Sequence, residues 1–333
     1  MSSIDLSRIT GFSCAGQEEM ELKRLEVEAE ETMFVVLSDV HLDSPQVMHK
    51  LRMLFEGFSN VCAPDPETGE PMSTPPSVFI FLGNFSSQPF GKASSDVAEY
   101  KRNFDALADL ILEFPQLHEG GSKFLFIPGP TDPGAKVLPR APLPKYFTSK
   151  LRKALGAKRV RSEDGGWKTI PSRVSFSTNP CRLRYFTQEI VLFRDDLLNR
   201  MRRSCIVPPV LDEAFDKGAA SVGDADGDED DEYGRVAGAA ARASVVTEHL
   251  VKTVIDQGHL SPLPMSVVPV RWVHDCSLRL YPLPDMLLMA DHYDAYHHAY
   301  NGTVALNPGS FPTDFSFVVY RPYNKQCEFS TVG

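Results

Sequence analysis

Three uninterrupted apolar runs of strand length constrain this chain most: Met33 to Leu37 (MFVVL), Ser77 to Leu82 (SVFIFL) and Lys123 to Ile127 (KFLFI). A strand buried on both faces shows no apolar/polar alternation, the pattern of a parallel sheet covered by helices. Each run gives way to a polar, turn-rich loop, at Ser38-Asp39, at Gly83-Asn84 and at Pro128-Gly129-Pro130-Thr131-Asp132-Pro133-Gly134. After the first loop, Ser44 and Pro45 suit an N-cap and a first helical residue, and Val47, Leu51, Leu54, Phe55 and Phe58 recur at helical spacing. Tyr100, Phe104, Leu107, Ile111 and Phe114 repeat the pattern after the second. Strand, loop and helix in series predict a parallel α/β sheet.

The second half reads differently. Val174 to Ser177, Arg182 to Tyr185 and Glu189 to Phe193 are short and closely spaced, and Met286 to Ala290, Thr303 to Leu306 and Ser316 to Tyr320 continue as strands. They predict a second, mixed sheet. Gly156 to Lys168 is polar and glycine-containing and reads as a surface loop. The stretch 211–243 is acidic, rich in Gly and Ala and nearly free of large apolar residues, so it cannot repay its ordering entropy. A disordered insertion is expected there, within one domain over 33–333 that follows an N-terminal remnant at 1–32.

Charge follows the same division. The net charge is -10, but ten acids against two bases between Val210 and Ala240 account for -8 of it. The remainder is near neutral, which argues against a dominant nucleic-acid-binding face. One local basic cluster, Lys145, Lys150, Arg152, Lys153, Lys158, Arg159 and Arg161, reads either as a solvated helix face or as a phosphate or partner contact. The six cysteines form no CxxC pair, so neither a zinc ribbon nor a disulfide scaffold is suggested. No apolar stretch is long enough to cross a membrane and the N-terminus lacks a secretory layout, so a soluble intracellular protein is expected.

In sheets of this kind ligands gather outside the carboxyl ends of the strands. The loops there carry Asp39-Val40-His41, Gly83-Asn84 and Gly129-Pro130-Thr131-Asp132; Gly258-His259 comes later, and Asp291-His292 follows the Met286 to Ala290 run. The series resembles the calcineurin-like metallophosphoesterases, whose strand-end motifs run D-x-H, G-D, G-N-H-[DE], a lone H and G-H-x-H. The fold this implies is α/β, with two mixed β-sheets sandwiched and flanked by helices. A two-metal hydrolase holds its cations roughly 3.5–4 Å apart, with a bridging carboxylate to offset their repulsion. Asp39 and His41 match the first motif, but Asn84 stands where the bridging aspartate belongs. Pro130 replaces an asparagine ligand and Thr131 a catalytic histidine, leaving Asp132 of that motif. His259 matches the lone histidine. Ala290 and Asp291 replace Gly-His, and Tyr293 the final histidine, with His292 or His297 able to slide into register. Asp39, His41, Asn84, Pro130, Thr131, Asp132, His259 and Asp291 are therefore expected to form a vestigial phosphoesterase site, with no catalytic residue, metal or cofactor. The alternative is an active phosphoesterase using a single metal on Asp39, His41 and His259. His297 and His298 read as an exposed pair in a loop.

Longer runs carry a second resemblance: FVVLSDVHLD from Phe34, GNF from Gly83, FIPGPTDPG from Phe126, LPRAPLP from Leu138, STNPCRLRYFTQEIVLFRDDLLNRM from Ser177 to Met201, GHLSPLP from Gly258 and NPGSF from Asn307. Together they resemble the B-subunit family of the eukaryotic replicative DNA polymerases alpha, delta and epsilon, most of all its epsilon branch. The resemblance implies an inactivated phosphoesterase domain serving in the nucleus as a non-catalytic accessory scaffold for DNA replication. The partners it implies are the catalytic subunit of DNA polymerase epsilon, through its C-terminal zinc module, the other subunits of that complex, and DNA through the complex, with no membrane. It also implies an oligonucleotide-binding-fold domain before the phosphoesterase domain, of which residues 1–32 would be the end. Pro-rich loops at Pro139 to Pro144 and Pro262 to Pro264 read as exposed and suited to an interface.

Overall fold

The computed structural model describes residues 16–62, 73–94, 96–161, 167–205 and 231–333. The elements come in the order α1 (Gly16–Glu28), β1 (Phe34–Ser38), α2 (Pro45–Val61), β2 (Val78–Leu82), α3 (Asp96–Leu112), α4 (Pro115–His118), β3 (Lys123–Ile127) and α5 (Ser149–Leu155). There follow β4 (Lys158–Arg161), β5 (Trp167–Ile170), β6 (Val174–Phe176), β7 (Cys181–Tyr185), β8 (Gln188–Arg194), α6 (Leu197–Ser204) and a long helix, Asp231–Gln257. A 3-10 helix (Trp272–Leu278), β9 (Met286–Ala290), β10 (Tyr296–Tyr300), β11 (Thr303–Asn307), a helical turn (Phe311–Asp314), β12 (Ser316–Arg321) and β13 (Gln326–Thr331) complete the chain. Among the described residues no helix is long and apolar enough to cross a membrane.

Two mixed sheets result. The larger has the order β13-β12-β1-β2-β3-β6, with β1, β2, β3 and β6 parallel and β12 antiparallel to β1. The smaller has the order β10-β11-β9-β8-β7, parallel from β8 through β9 to β11 and antiparallel at both edges. The apolar run of β1 is uninterrupted because its two faces bury into different cores. Phe34 and Val36, with Val78, Ile80, Leu125 and Ile127, pack against Ile190, Leu192, Met286 and Leu288 of the other sheet. Val35 and Leu37 turn the other way, onto α2, α3 and α5. There Phe81, Phe126 and Phe176 stack across adjacent strands with ring centroids 5.0 Å apart. The far face of the smaller sheet packs Val191, Phe193 and Leu287 against Val251, Val254 and Ile255 of the long helix.

The structure departs from the sequence reading in four places. The stretch read as disordered at 211–243 is helical from Asp231, while 211–230 lies outside the described residues. Alanines favour the helix, and its packed half around Leu250, Val251 and Val254 supplies a nucleus from which it propagates. The loop expected at 156–168 instead contributes β4 and β5, which pair with Lys158 opposite Ile170 and Arg161 opposite Trp167. His297 and His298 lie in β10, paired with Leu306 and Ala305, and not in a loop. Finally, the Pro139 to Pro144 segment is exposed at Ala141, Pro142 and Pro144 as expected but is anchored between them: Arg140 and Leu143 are buried, and the Arg140 backbone pairs with that of Asn179 in both directions.

Within the stretch read as a remnant, helix α1 is tied to the larger body. The Glu26 carboxylate accepts bonds from the Thr187 hydroxyl at 2.6 Å and from Gln188 Nε2 at 2.5 Å.

Candidate functional site

The carboxyl ends of β1, β2 and β3 abut those of β8 and β9. This brings most of the expected residues together. Asp39 leaves β1 with φ 55, a left-handed conformation that Asp tolerates better than most residues. Its backbone N–H donates to the Leu82 carbonyl at 3.1 Å, and Oδ1 accepts from Asn84 N–H at 3.0 Å, Asn84 Nδ2 at 3.2 Å and Arg194 Nη2 at 2.6 Å. His292, exposed at the mouth, brings Nδ1 to 3.5 Å from Asp39 Oδ2. Burial alone would raise the Asp39 carboxyl; the Arg194 charge, with the His292 imidazole close by and hydrogen bonds from Arg194 and Asn84, outweighs it and holds the group well below the usual carboxylate range. Contact with Asp39 in turn raises the His292 imidazole. His41 is half-buried, and burial lowers its imidazole against the pull of Asp39 and Asp43.

Asn84 shows why its amide matters. Its Nδ2 donates to Asp39, and its Oδ1 accepts from Thr131 N–H at 3.0 Å. Both ends are thus spent in joining three loops. A carboxylate here could not donate to Asp39, and the two acids would need a cation between them. Pro130 and Thr131 contribute a turn in which backbone groups do the bonding: Thr131 N–H to Asn84, and the Thr131 carbonyl accepting from Phe90 N–H. The loops approach so closely that a Cβ added to Gly83 would sit 2.0 Å from Asp132 Oδ2, and one on Gly129 2.4 Å from Asn84 Oδ1. Asp132 pins this arrangement, accepting from Phe85 N–H at 2.8 Å, Gly129 N–H at 2.7 Å and the Tyr100 hydroxyl at 3.1 Å. Its burial pushes the carboxyl upward.

Asp291 closes the other side. Its Oδ2 accepts from Leu198 N–H at 2.7 Å, at the start of α6, while Oδ1 meets no donor. Burial pushes its carboxyl up to about 6.

His259 is not part of this constellation. Its Nδ1 accepts from Ser261 N–H at 3.0 Å, so Nε2 carries the proton and donates to Asp275 Oδ1 at 3.2 Å. Asp275 also accepts from Arg279. The match to a lone metal-binding histidine is corrected accordingly: the imidazole is consumed in a local network.

The residue that dominates the cleft is one the motif comparison passes over. Arg194, the last residue of β8, is fully buried. Its Nε donates to the Gly83 carbonyl at 2.7 Å, Nη2 to Asp39, and Nη1 to Asp196 Oδ1 at 2.7 Å. Burial alone would lower its guanidinium, but Asp39 and Asp196 raise it far above the ordinary value. Its backbone is clasped by buried Asn179, whose Oδ1 accepts from Arg194 N–H at 3.1 Å and whose Nδ2 donates to the Arg194 carbonyl at 2.6 Å. Neighbouring Asp195 pairs with Arg140 at 3.0 Å and Arg200 at 2.5 Å. The signal in the sequence is an Arg-Asp-Asp triplet directly after a buried strand run.

These residues do not fit a metal pair. Among the described residues no group of three or more His, Cys, Asp or Glu side chains is arranged to hold a metal ion. A divalent ion placed 4 Å from the guanidinium would be repelled by roughly 8 kcal/mol at an effective dielectric of 20. The basic cluster is also partly spent: Lys150 pairs with Asp109 at 2.6 Å, and Arg152 lies 4.3 Å over the Phe176 ring.

Comparison with known proteins agrees with the longer sequence runs. Residues 34–298 match the family of the DNA polymerase alpha/epsilon B subunits. The chain is 40% identical to DNA polymerase epsilon subunit 2 of Homo sapiens over 311 residues, which is 93% of this chain and 47% of that protein. It is 38% identical to the DNA polymerase epsilon B subunit of Arabidopsis thaliana over 323 residues, 97% of this chain and 51% of that one. The chain thus spans about half the length of the curated relatives it matches. Among solved structures, a novel archaeal phosphodiesterase is similar at 9% identity and a TM-score of 0.33, covering 90% of this chain and 99% of its own, too loose a likeness to decide the fold.

Proposed function

Because the chain belongs to the family of the DNA polymerase alpha/epsilon B subunits, we propose that it is a non-catalytic accessory subunit of the DNA polymerase epsilon complex, working in the nucleus in DNA replication. Its partners are the catalytic subunit, through that subunit's C-terminal zinc module, and the other subunits of the complex. DNA is reached through the assembly.

The observation that carries the non-catalytic part is Asn84. The bridging position of a two-metal centre needs a shared negative charge, and Asn84 offers an amide whose two ends are already bonded to Asp39 and Thr131. The motif position that would supply a histidine as general acid is held by Thr131, after Pro130. The single-metal alternative loses its third ligand, because His259 is bonded to Asp275.

An accessory role also accounts for the exposed surface. Trp272, Val273 and Tyr281 stand 74%, 85% and 91% exposed within one short stretch, and large apolar side chains held in water together mark interaction surfaces. With Lys150 in a surface ion pair and Arg152 laid over the Phe176 ring, protein contact at this apolar stretch is better supported than direct binding of DNA by the basic cluster.

Two measurements test this reading. The tagged full chain, recovered from cell extract, should bring down a large polymerase polypeptide, and recovery of none would overturn the accessory role. The purified chain incubated with manganese and a chromogenic phosphodiester should give no turnover. Turnover that vanished in Asp39→Ala would overturn the non-catalytic part.

A further inference from the structure

The cleft's misfit to a metal pair has a specific cause. In a two-metal centre the ions act as a clamp that fixes groups from several strand ends at once. Here one side chain makes contacts of that kind. From β8 of the smaller sheet, Arg194 donates through Nε to the Gly83 carbonyl at 2.7 Å and through Nη2 to Asp39 at 2.6 Å, both on loops of the larger sheet. Its Nη1 meets Asp196 at 2.7 Å and lies 3.4 Å from the Ala290 carbonyl at the end of β9. A guanidinium has five N–H donors in a rigid fork, so these four acceptors nearly exhaust it.

The acids nearest the guanidinium are matched as well. Asp39, Asp195 and Asp196 are paired with Arg140, Arg194 and Arg200; the remaining acids are Asp132, tied to three donors, and Asp291, which holds the Leu198 N–H. A dication entering here would meet a guanidinium that already holds Asp39 and Asp196. Replacing Arg194 by a neutral side chain changes that: Asp39 and Asp196 lose their cation while His41 and His292 remain close to Asp39.

We infer that Arg194 is the cleft's resident cation, a guanidinium built into the chain that substitutes for a metal pair in clasping the two sheets, and whose removal opens the cleft to a divalent ion. The inference rests on the non-catalytic reading above and deepens it. It explains how loops that need a positive centre keep their geometry without binding one from solution.

The test uses the full chain, its Arg194→Met variant, thermal melting with and without manganese, and metal content after dialysis. The wild type should be metal-free and its melting unmoved by manganese. R194M should melt lower by on the order of 5–10 °C, should retain manganese after dialysis, and should regain part of the loss when manganese is present. Adding Asp39→Asn to R194M should abolish the regain. A wild type shifted by manganese as much as R194M would overturn the inference, and so would an R194M that takes up no metal, whatever its melting temperature. If R194M does not fold, the R194M/D39N double variant decides: lacking both charges, it should be more stable than R194M, and equal instability would overturn the pairing. Phosphodiester turnover by the wild type would sink the non-catalytic reading instead, whereas an inactive wild type beside an unresponsive R194M would sink only the role given to Arg194.

Discussion

Asp39 Oδ1 and Arg194 Nη2 lie 2.6 Å apart at the junction of the two sheets, with side chains 1% and 0% exposed. Neither charge has water to fall back on, so the two are stable only as a pair. Asp39→Ala should therefore cost about 3–5 kcal/mol, read as a lower urea midpoint. The pH dependence has a definite sign. The folded Asp39 carboxyl lies below its unfolded value of roughly 3.9, so its contribution is fully present above pH ~4 and is lost as the pH falls toward the folded value. A wild type that lost no more stability than D39A between pH ~4 and pH ~2 would contradict this.

Asp291 should behave in the opposite sense. Burial pushes its carboxyl up to about 6, above the unfolded value of roughly 3.9. Stability from this group is fully present below pH ~4 and is lost as the pH rises through about 6, a cost of about 3 kcal/mol at most. Asp291→Asn keeps an oxygen for the Leu198 N–H and removes the charge. The variant should gain on the wild type between pH 5 and pH 8 in urea unfolding, and parallel pH profiles would show that Asp291 stays ionised in the fold.

What the sequence disclosed follows from how local each signal is. The runs KFLFI and MLLMA are strands with the bounds read for them, at Lys123–Ile127 and Met286–Ala290, because burial on both faces leaves a run without interruption. The edge strands β10 (YHHAY) and β13 (QCEFST) are made mostly of exposed and partly buried residues, and the polar ones hid them. Asp39, Asn84, Thr131, Asp132 and Asp291 could be placed near one another because each ends or follows a strand. His259 could not be placed, since its spacing resembles a ligand's while its bond to Asp275 depends on the fold between them. Arg194 is conspicuous in sequence only as a charge at the end of an apolar run. Asp196 is two residues away along the chain, but the meeting with Asp39 is decided by the packing of one sheet on the other.

The exposed stretch at Trp272 and Tyr281 predicts a separation of stability from assembly. Both side chains are largely in water, and surface substitutions of this kind change stability within about 0.5 kcal/mol. The Trp272→Ala/Tyr281→Ala double variant should melt like the wild type while recovering clearly less polymerase polypeptide from extract. Equal recovery would move the contact elsewhere on the surface.

Asn84→Asp should fail as a restoration of the metal site. The new carboxylate would lie beside Asp39, where Asn84 Nδ2 now donates at 3.2 Å, exchanging a hydrogen bond for a repulsion of about 5 kcal/mol at an effective dielectric of 20. The Thr131 N–H and Arg194 would offset part of it, leaving a net loss of roughly 2–4 kcal/mol at neutral pH. Protonation of the new acid gives back a donor toward Asp39, so the loss should shrink as the pH falls below about 5. No phosphodiesterase activity should appear with manganese, because Arg194 still fills the cleft and Thr131 supplies no acid. An N84D variant as stable as the wild type at neutral pH, with manganese bound, would mean that the guanidinium yields its place, and a centre of this kind would then be limited by one amide alone.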